Sequence, residues 1–271
     1  MTENPWLAVL TALFLWWFST GIILLRVRMA DNGDEDQHFF SVLMGTPLLL
    51  IGASAARTSM GDASVNGTYL AFFAAVALWG WIELAFLSGI ITGPNRTPCP
   101  PFASQGDRFW RAVGTIAWHE ALLLGMVVTL GIMSRGAENQ FAFWTFALLF
   151  VARIFAKLNL FLGVPRINTQ FLPRPLSHLT SHFRFARMNA FFPISVSALT
   201  VASALLLERT MTATEAGATI GFALLTSLCV LALLEHWFMV LPLPDEKLWR
   251  WMIPAAKSQS KDRLHEDTHG L

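Results

Sequence analysis

Seven stretches of this chain are apolar over the length a bilayer asks of a helix, yet four of them carry ionisable residues inside. Glu83 lies within TYLAFFAAVALWGWIELAFLSGIIT, and His119 and Glu120 lie within FWRAVGTIAWHEALLLGMVVTLGIM. Arg153 and Lys157 interrupt FAFWTFALLFVARIFAKLNLFLG, and Glu235 and His236 stand near the end of GATIGFALLTSLCVLALLEHWFMVL. A charge at bilayer depth costs at least about 2.5–3.5 kcal/mol on insertion scales, so such groups face a protein interior or a wet cavity and find partners. Any chemical or ligand-binding centre is expected among them.

The membrane assignment rests on composition and length. Hydrophobic residues make up 54% of the chain and charged residues only 14%, against roughly 25% charged in soluble domains. A hydrocarbon core needs about 20 apolar residues in a helix, and residues 5–25, 39–56, 68–92, 109–133, 141–163, 190–207 and 217–241 meet or approach that length. The fold class expected is all-α, a polytopic membrane protein of about seven transmembrane helices. Residues 1–252 form one helical membrane domain, and 253–271, without apolar periodicity, are expected to be disordered. The flank MTEN carries no positive charge and no small-residue cleavage site follows, so the first span is not expected to be a cleaved signal peptide. Cys99 and Cys229 are expected to be free thiols, because a bridge would tie a loop to mid-membrane.

Lys and Arg concentrate on the cytoplasmic side of membrane proteins. With seven spans, one side collects Arg26, Arg28, Arg96, Arg108, Arg111, Arg166, Arg174, Arg184, Arg187 and the basic residues of the C-terminal tail, and the other holds only Arg57, Arg135 and Arg209. An outside N-terminus and a cytoplasmic C-terminus follow. Trp6, Trp16, Trp17, Trp110, Trp249 and Trp251 suit interfacial anchoring. Counting about 1.5 Å per residue then puts Glu83, His119, Glu120 and Arg153 at one depth in the cytoplasmic half, with Lys157, Glu235 and His236 shallower.

Several readings of this intramembrane polar network stay open. In one it is a structural charge network: Arg153 and Lys157, at i and i+4, share a helix face and neutralise Glu83 and Glu120. Buried pairs of this kind are best attested as devices that fix register. A metal site is disfavoured, because His119–Glu120 and Glu235–His236 are adjacent in sequence. Carboxylate bundles use Glu-x-x-His, which aims both ligands from one face. In a third reading His119 or His236 is an axial ligand to a pigment or haem metal. Transport has no paired broken helices to support it. Phosphate-binding glycine loops and nucleophile elbows are missing, and the topology rule already explains the basic loops without nucleic acid.

Two connections on the predicted cytoplasmic face stand out. TGPNRTPCPPFA, with Pro94, Arg96 and Pro100, should be a rigid extended turn, either a tight link between spans three and four or a docking surface for a partner or lipid. In GVPRINTQFLPRPLSHLTSHFRFARMN, the residues after Pro175 place Leu176, Leu179, Phe183 and Met188 near helical spacing, with His178, His182, Arg184 and Arg187 between them. A short interfacial amphipathic helix on anionic lipid is expected there, with partner docking as the other use. The acidic turn DNGDED at 31–36 is expected to be simply solvated.

NPWLAVLTALFLWWFSTG, LWGWIELAFLSGIITGPNRTPCPP, FWRAVGTIAWHE, ARIFAKLNLFLGVPRIN, SHFRFARMNAFFP and LEHWFMVLPLPDEKLWRWM together resemble the PuhE family, photosynthetic complex assembly membrane proteins of purple and related phototrophic bacteria. The resemblance runs from about Asn4 to Met252. It implies an assembly factor for the reaction centre and core antenna in the inner (intracytoplasmic) membrane, coupled to bacteriochlorophyll supply. The implied partners are reaction-centre or antenna subunits, with bacteriochlorophyll or its biosynthetic enzymes as further candidates. It carries over no catalytic residue, and the chain is expected to act without catalysis. The rival expectations are a pigment- or metal-binding protein or enzyme centred on the polar network, and a stable accessory subunit of the finished complex.

Overall fold

The computed structural model describes residues 3–34 and 36–242. Trp249, Trp251 and the predicted disordered tail lie outside the described residues, as does Glu35 of the acidic turn. The described chain folds into α1 (Pro5–Asp31), α2 (Gln37–Ser59), α3 (Val65–Leu87), α4 (Gln105–Met133), α5 (Phe141–Leu162), α6 (Phe191–Thr212) and α7 (Ala216–Phe238). Two 3-10 helices, Thr169–Phe171 and Arg174–His182, lie between α5 and α6. All seven α-helices are long and apolar enough to cross a bilayer, so the chain is a multi-pass membrane protein.

Two helices form the centre. In α3 and α7, 56% of the apolar window is buried, against 17–22% in the other five. One side of α3 packs Ala71, Ala74, Ala75, Leu78 and Ile82 against Leu123 and Leu130 of α4 and Ala142 and Phe146 of α5. Its other side packs Tyr69 and Phe72 against Ala8 and Ala12 of α1 and Ile220, Leu224 and Leu228 of α7. Small residues at these seams let helices approach closely, which in lipid replaces the hydrophobic effect as the driving force. Leu10, Leu50, Ile51, Val201 and Leu205 stay exposed on the outside, as lipid-facing residues do.

The third span is shorter than its apolar run suggests. It ends at Leu87 instead of continuing to Thr92, because Gly89 adopts φ +73°. Gly89 N–H donates to Phe86 O and Ile90 N–H to Ala85 O, the paired bonds of a left-handed helix cap. Glu83 is therefore about one turn from the end of its helix. Residues 88–97 then fold back along α4. Asn95 N–H donates to Gly114 O and His119 N–H to Thr92 O, each at 3.0 Å, and the Asn95 side chain donates to Arg111 O.

The connection from Gly163 to Ala190 forms a strap across this end of the bundle. It is not the expected interfacial amphipathic helix. Residues 174–182 wind as a 3-10 helix, in which i and i+3 side chains eclipse. Leu176 and Leu179 therefore share one face, and both are buried with Phe86 of α3. Phe183 leaves the helix in extended conformation, Phe185 pairs with Val164, and Phe185 and Met188 are exposed. His182, a predicted docking residue, is buried: the loop covers it, with Thr97 O 3.3 Å from its Nε2. Cys99 N–H donates to Ser181 Oγ in the same seam.

The acidic turn is also more than solvated. Asp31 is buried; its Oδ1 accepts from the Arg174 N–H and lies 3.2 Å from His38 Nε2. It ties the end of α1 to α2 and to the strap. At the far side of the strap, Asn189 Oδ1 accepts from Phe191 and Phe192 N–H, the first free donors of α6. Its Nδ2 donates to Gly163 O and Asn159 Oδ1, and the fully buried Asn159 donates on to Ser195 Oγ. Cys99 and Cys229 are free thiols.

Candidate functional site

The ionisable residues of the spans gather around one cavity of about 820 Å³. Helices α1, α3, α4, α5 and α7 wall it, and strap residues from Arg166 to Phe183 close it below. Val76, Trp79, Leu149 and Leu228 make its inner part apolar, while Glu83, Glu120, Arg153, Lys157 and Glu235 line it toward the strap. Pockets that hold small ligands fall in roughly this size range, mostly apolar with a few placed polar groups.

Each predicted member of the polar network has a definite place. Arg153 of α5 donates to Glu83 Oε2 of α3 at 2.8 Å. Lys157, one turn along the same face, bonds Glu120 Oε1 of α4. The two carboxylates thus lock α3 and α4 onto one face of α5. His119 is fully buried behind them, its Nε2 3.7 Å from Glu83 Oε1 and 4.0 Å from Glu120 Oε1. Phe86 covers the imidazole with ring centroids 4.2 Å apart, and Lys157 Nζ stands 5.5 Å from the Phe86 ring centre. Phe86 and Lys157 line the cavity, and His119 packs behind them.

The Glu235–His236 pair divides. Glu235 of α7 lines the cavity, and its Oε1 accepts from Trp16 Nε1 of α1 at 2.8 Å. His236 turns away into the protein, with Nδ1 2.7 Å from Ala232 O, and is buried. Neither His119 nor His236 belongs to the cavity lining. Among the described residues, no group of three or more His, Cys, Asp or Glu side chains converges as metal ligands would.

The expected docking residues other than His182 lie on the outer surface of the same end. Pro94, Arg96, Pro100, Arg184 and Arg187 are exposed, and Arg96 donates to Gly89 O. Arg108, near the start of α4, braces the seam from within by donating to Phe161 O and His182 O. Sequence reasoning missed Trp16, Phe86 and Arg166 at the cavity. Trp16 reads as an interfacial anchor, Phe86 as an ordinary apolar span residue, and Arg166 as one more basic loop residue. It missed Asn159 too, although an amide inside LNLFLG was a visible signal.

A protein from Rhodobacter capsulatus, described as "Uncharacterized 30.4 kDa protein in puhA 5'region", is 57% identical over 259 residues, covering 96% of this chain and 94% of its own length. No solved structure matches. The family model described as "Protein of unknown function (DUF3623)" matches residues 1–260. With the match running through every helix and around the whole cavity, the chain belongs to the DUF3623 family.

Proposed function

We propose that this protein is a non-enzymatic membrane assembly factor for a bacterial photosynthetic reaction centre and its core antenna. The observation that carries this reading is the relative encoded in the puhA 5' region, a photosynthesis gene region, with identity along nearly the whole of both chains. The resemblance to the PuhE family points the same way. The geometry is compatible with a binding and scaffolding role. The charges are largely spent on one another, as Glu83–Arg153 and Glu120–Lys157, which suits fixing helix register better than catalysis.

In this reading the membrane is the inner, intracytoplasmic one, with the strap end in the cytoplasm as the Lys and Arg distribution favours. The exposed Pro94, Arg96, Pro100, Arg184 and Arg187 would meet a client subunit or anionic lipid there. Deleting the gene in a phototrophic host is expected to lower assembled reaction-centre and antenna complexes, and tagged protein is expected to recover their subunits. A deletion strain with unchanged pigment and complex levels would sink the proposal.

A protein that ligates bacteriochlorophyll through His119 or His236 is the rival reading. The cavity offers volume for it, but both imidazoles stand outside its lining. Bacteriochlorophyll absorbance in purified protein, lost on His119→Ala or His236→Ala, would favour the rival.

A further inference from the structure

We infer that the cavity binds a bilayer amphiphile bearing a protonated amine, its apolar body between the helices and its ammonium on the Glu235 carboxylate. The inference goes beyond the assembly role and does not depend on it. It starts from an imbalance. Glu83 and Glu120 each have a cation, Arg153 and Lys157 respectively. Glu235 has none within ion-pair distance among the described residues, and its partner is the neutral indole N–H of Trp16.

A carboxylate without an ion pair among membrane spans is costly, because one hydrogen bond does not replace its hydration. Glu235 nonetheless remains accessible, and what it faces is the cavity. A hydroxyl from a ligand would add a hydrogen bond and leave the charge unbalanced. An ammonium supplies both, as a charge-assisted hydrogen bond. On its inner side the wall includes Val76, Gly80, Leu149 and Leu228, a surface for hydrocarbon. Because the cavity lies between membrane spans, the bilayer itself is the reservoir of such a ligand.

Gly80 supplies an independent handle on the body of the ligand. A β-carbon there meets only Ile23 Cδ1, at 3.6 Å, so a side chain added to this lining position starts clear of backbone.

The test is native mass spectrometry of the full chain in detergent, titrated with phosphatidylethanolamine and with phosphatidylglycerol of the same acyl chains. The amine lipid is expected to bind about tenfold more tightly, the worth of one charge-assisted hydrogen bond. Glu235→Gln should erase that preference without weakening phosphatidylglycerol, and Gly80→Leu should lower occupancy by both lipids while thermal unfolding shows the variants folded. Equal binding of the two lipids overturns the proposal. So does a preference that survives Glu235→Gln, which would mean that the Glu235 charge does not set it. Undiminished binding to Gly80→Leu would overturn the placement in the cavity.

Discussion

Gly93 crosses Gly114 with backbone against backbone: a β-carbon on Gly93 would stand 2.1 Å from the Gly114 carbonyl oxygen. This contact holds the folded-back segment 88–97 against α4, where Thr92 O reaches the His119 N–H. The obstacle is a helix backbone, which cannot rotate aside. Gly93→Ala is therefore expected to destabilise by about 1–3 kcal/mol, the usual cost of overpacking. Gly125→Ala, on the same helix with open space around it, should gain up to about 1 kcal/mol from helix propensity. Thermal unfolding in detergent compares them, and a Gly93→Ala protein as stable as the parent would contradict the crossing.

Glu83 and Arg153 form an ion pair in the cavity wall at 2.8 Å, and the cost of breaking it should depend on how it is broken. Removing one partner leaves the other charge uncompensated, at roughly 3 kcal/mol or more; removing both costs far less. Arg153→Gln and Glu83→Gln are thus each expected to destabilise more than the double variant. A double-mutant cycle on unfolding free energies reads this directly. Simple additivity would mean that the two side chains do not depend on each other.

The spans and the polar network were legible because both follow from the bilayer. Twenty apolar residues can do little else in lipid, and an ionisable residue among them must turn inward. The partners were legible only where spacing fixes them: Arg153 and Lys157 share a face by helix geometry, whereas Trp16 meets Glu235 across 219 positions with no local signal. The strap shows the opposite limit. Leu176 and Leu179, three apart, fit an α-helix and a 3-10 helix alike, and only contact with Phe86 decides that they go inward. The end of α3 was misread for a related reason. Ile90 and Ile91 continue the apolar run, while the Gly89 conformation ends the helix.

Asn189 joins α5, the strap and α6, so its loss should be felt at all three. Asn189→Ala removes the acceptor for Phe191 and Phe192 N–H and the donor to Gly163 and Asn159. Loss of such a cap costs about 1–2 kcal/mol. Asn189→Asp keeps the acceptor side and gives up the donor side, so an intermediate loss is expected. Unfolding temperatures in the order parent, Asp, Ala would support the division; an Asp variant no better than Ala would show that the donor bonds carry the knot.

The strap should loosen in acid. Burial first, and then the charge of His182 and of Arg96, hold His178 below its ordinary value of 6.5. Burial likewise lowers His182, with Arg108 and Arg111 adding to it and the Thr97 carbonyl opposing. Both imidazoles are thus neutral in the folded strap at a pH where the unfolded segment already binds protons. Stability from these groups is complete above about pH 6.5 and falls as the pH drops toward their folded values, since the unfolded state takes up more protons there. Hydrogen exchange across residues 169–183, corrected for intrinsic rates, is expected to show more opening at pH 5 than at pH 8, while the α3 core changes little. A His178→Gln/His182→Gln variant should lose most of that dependence. A strap equally protected at both pH values would refute the role given to these two histidines.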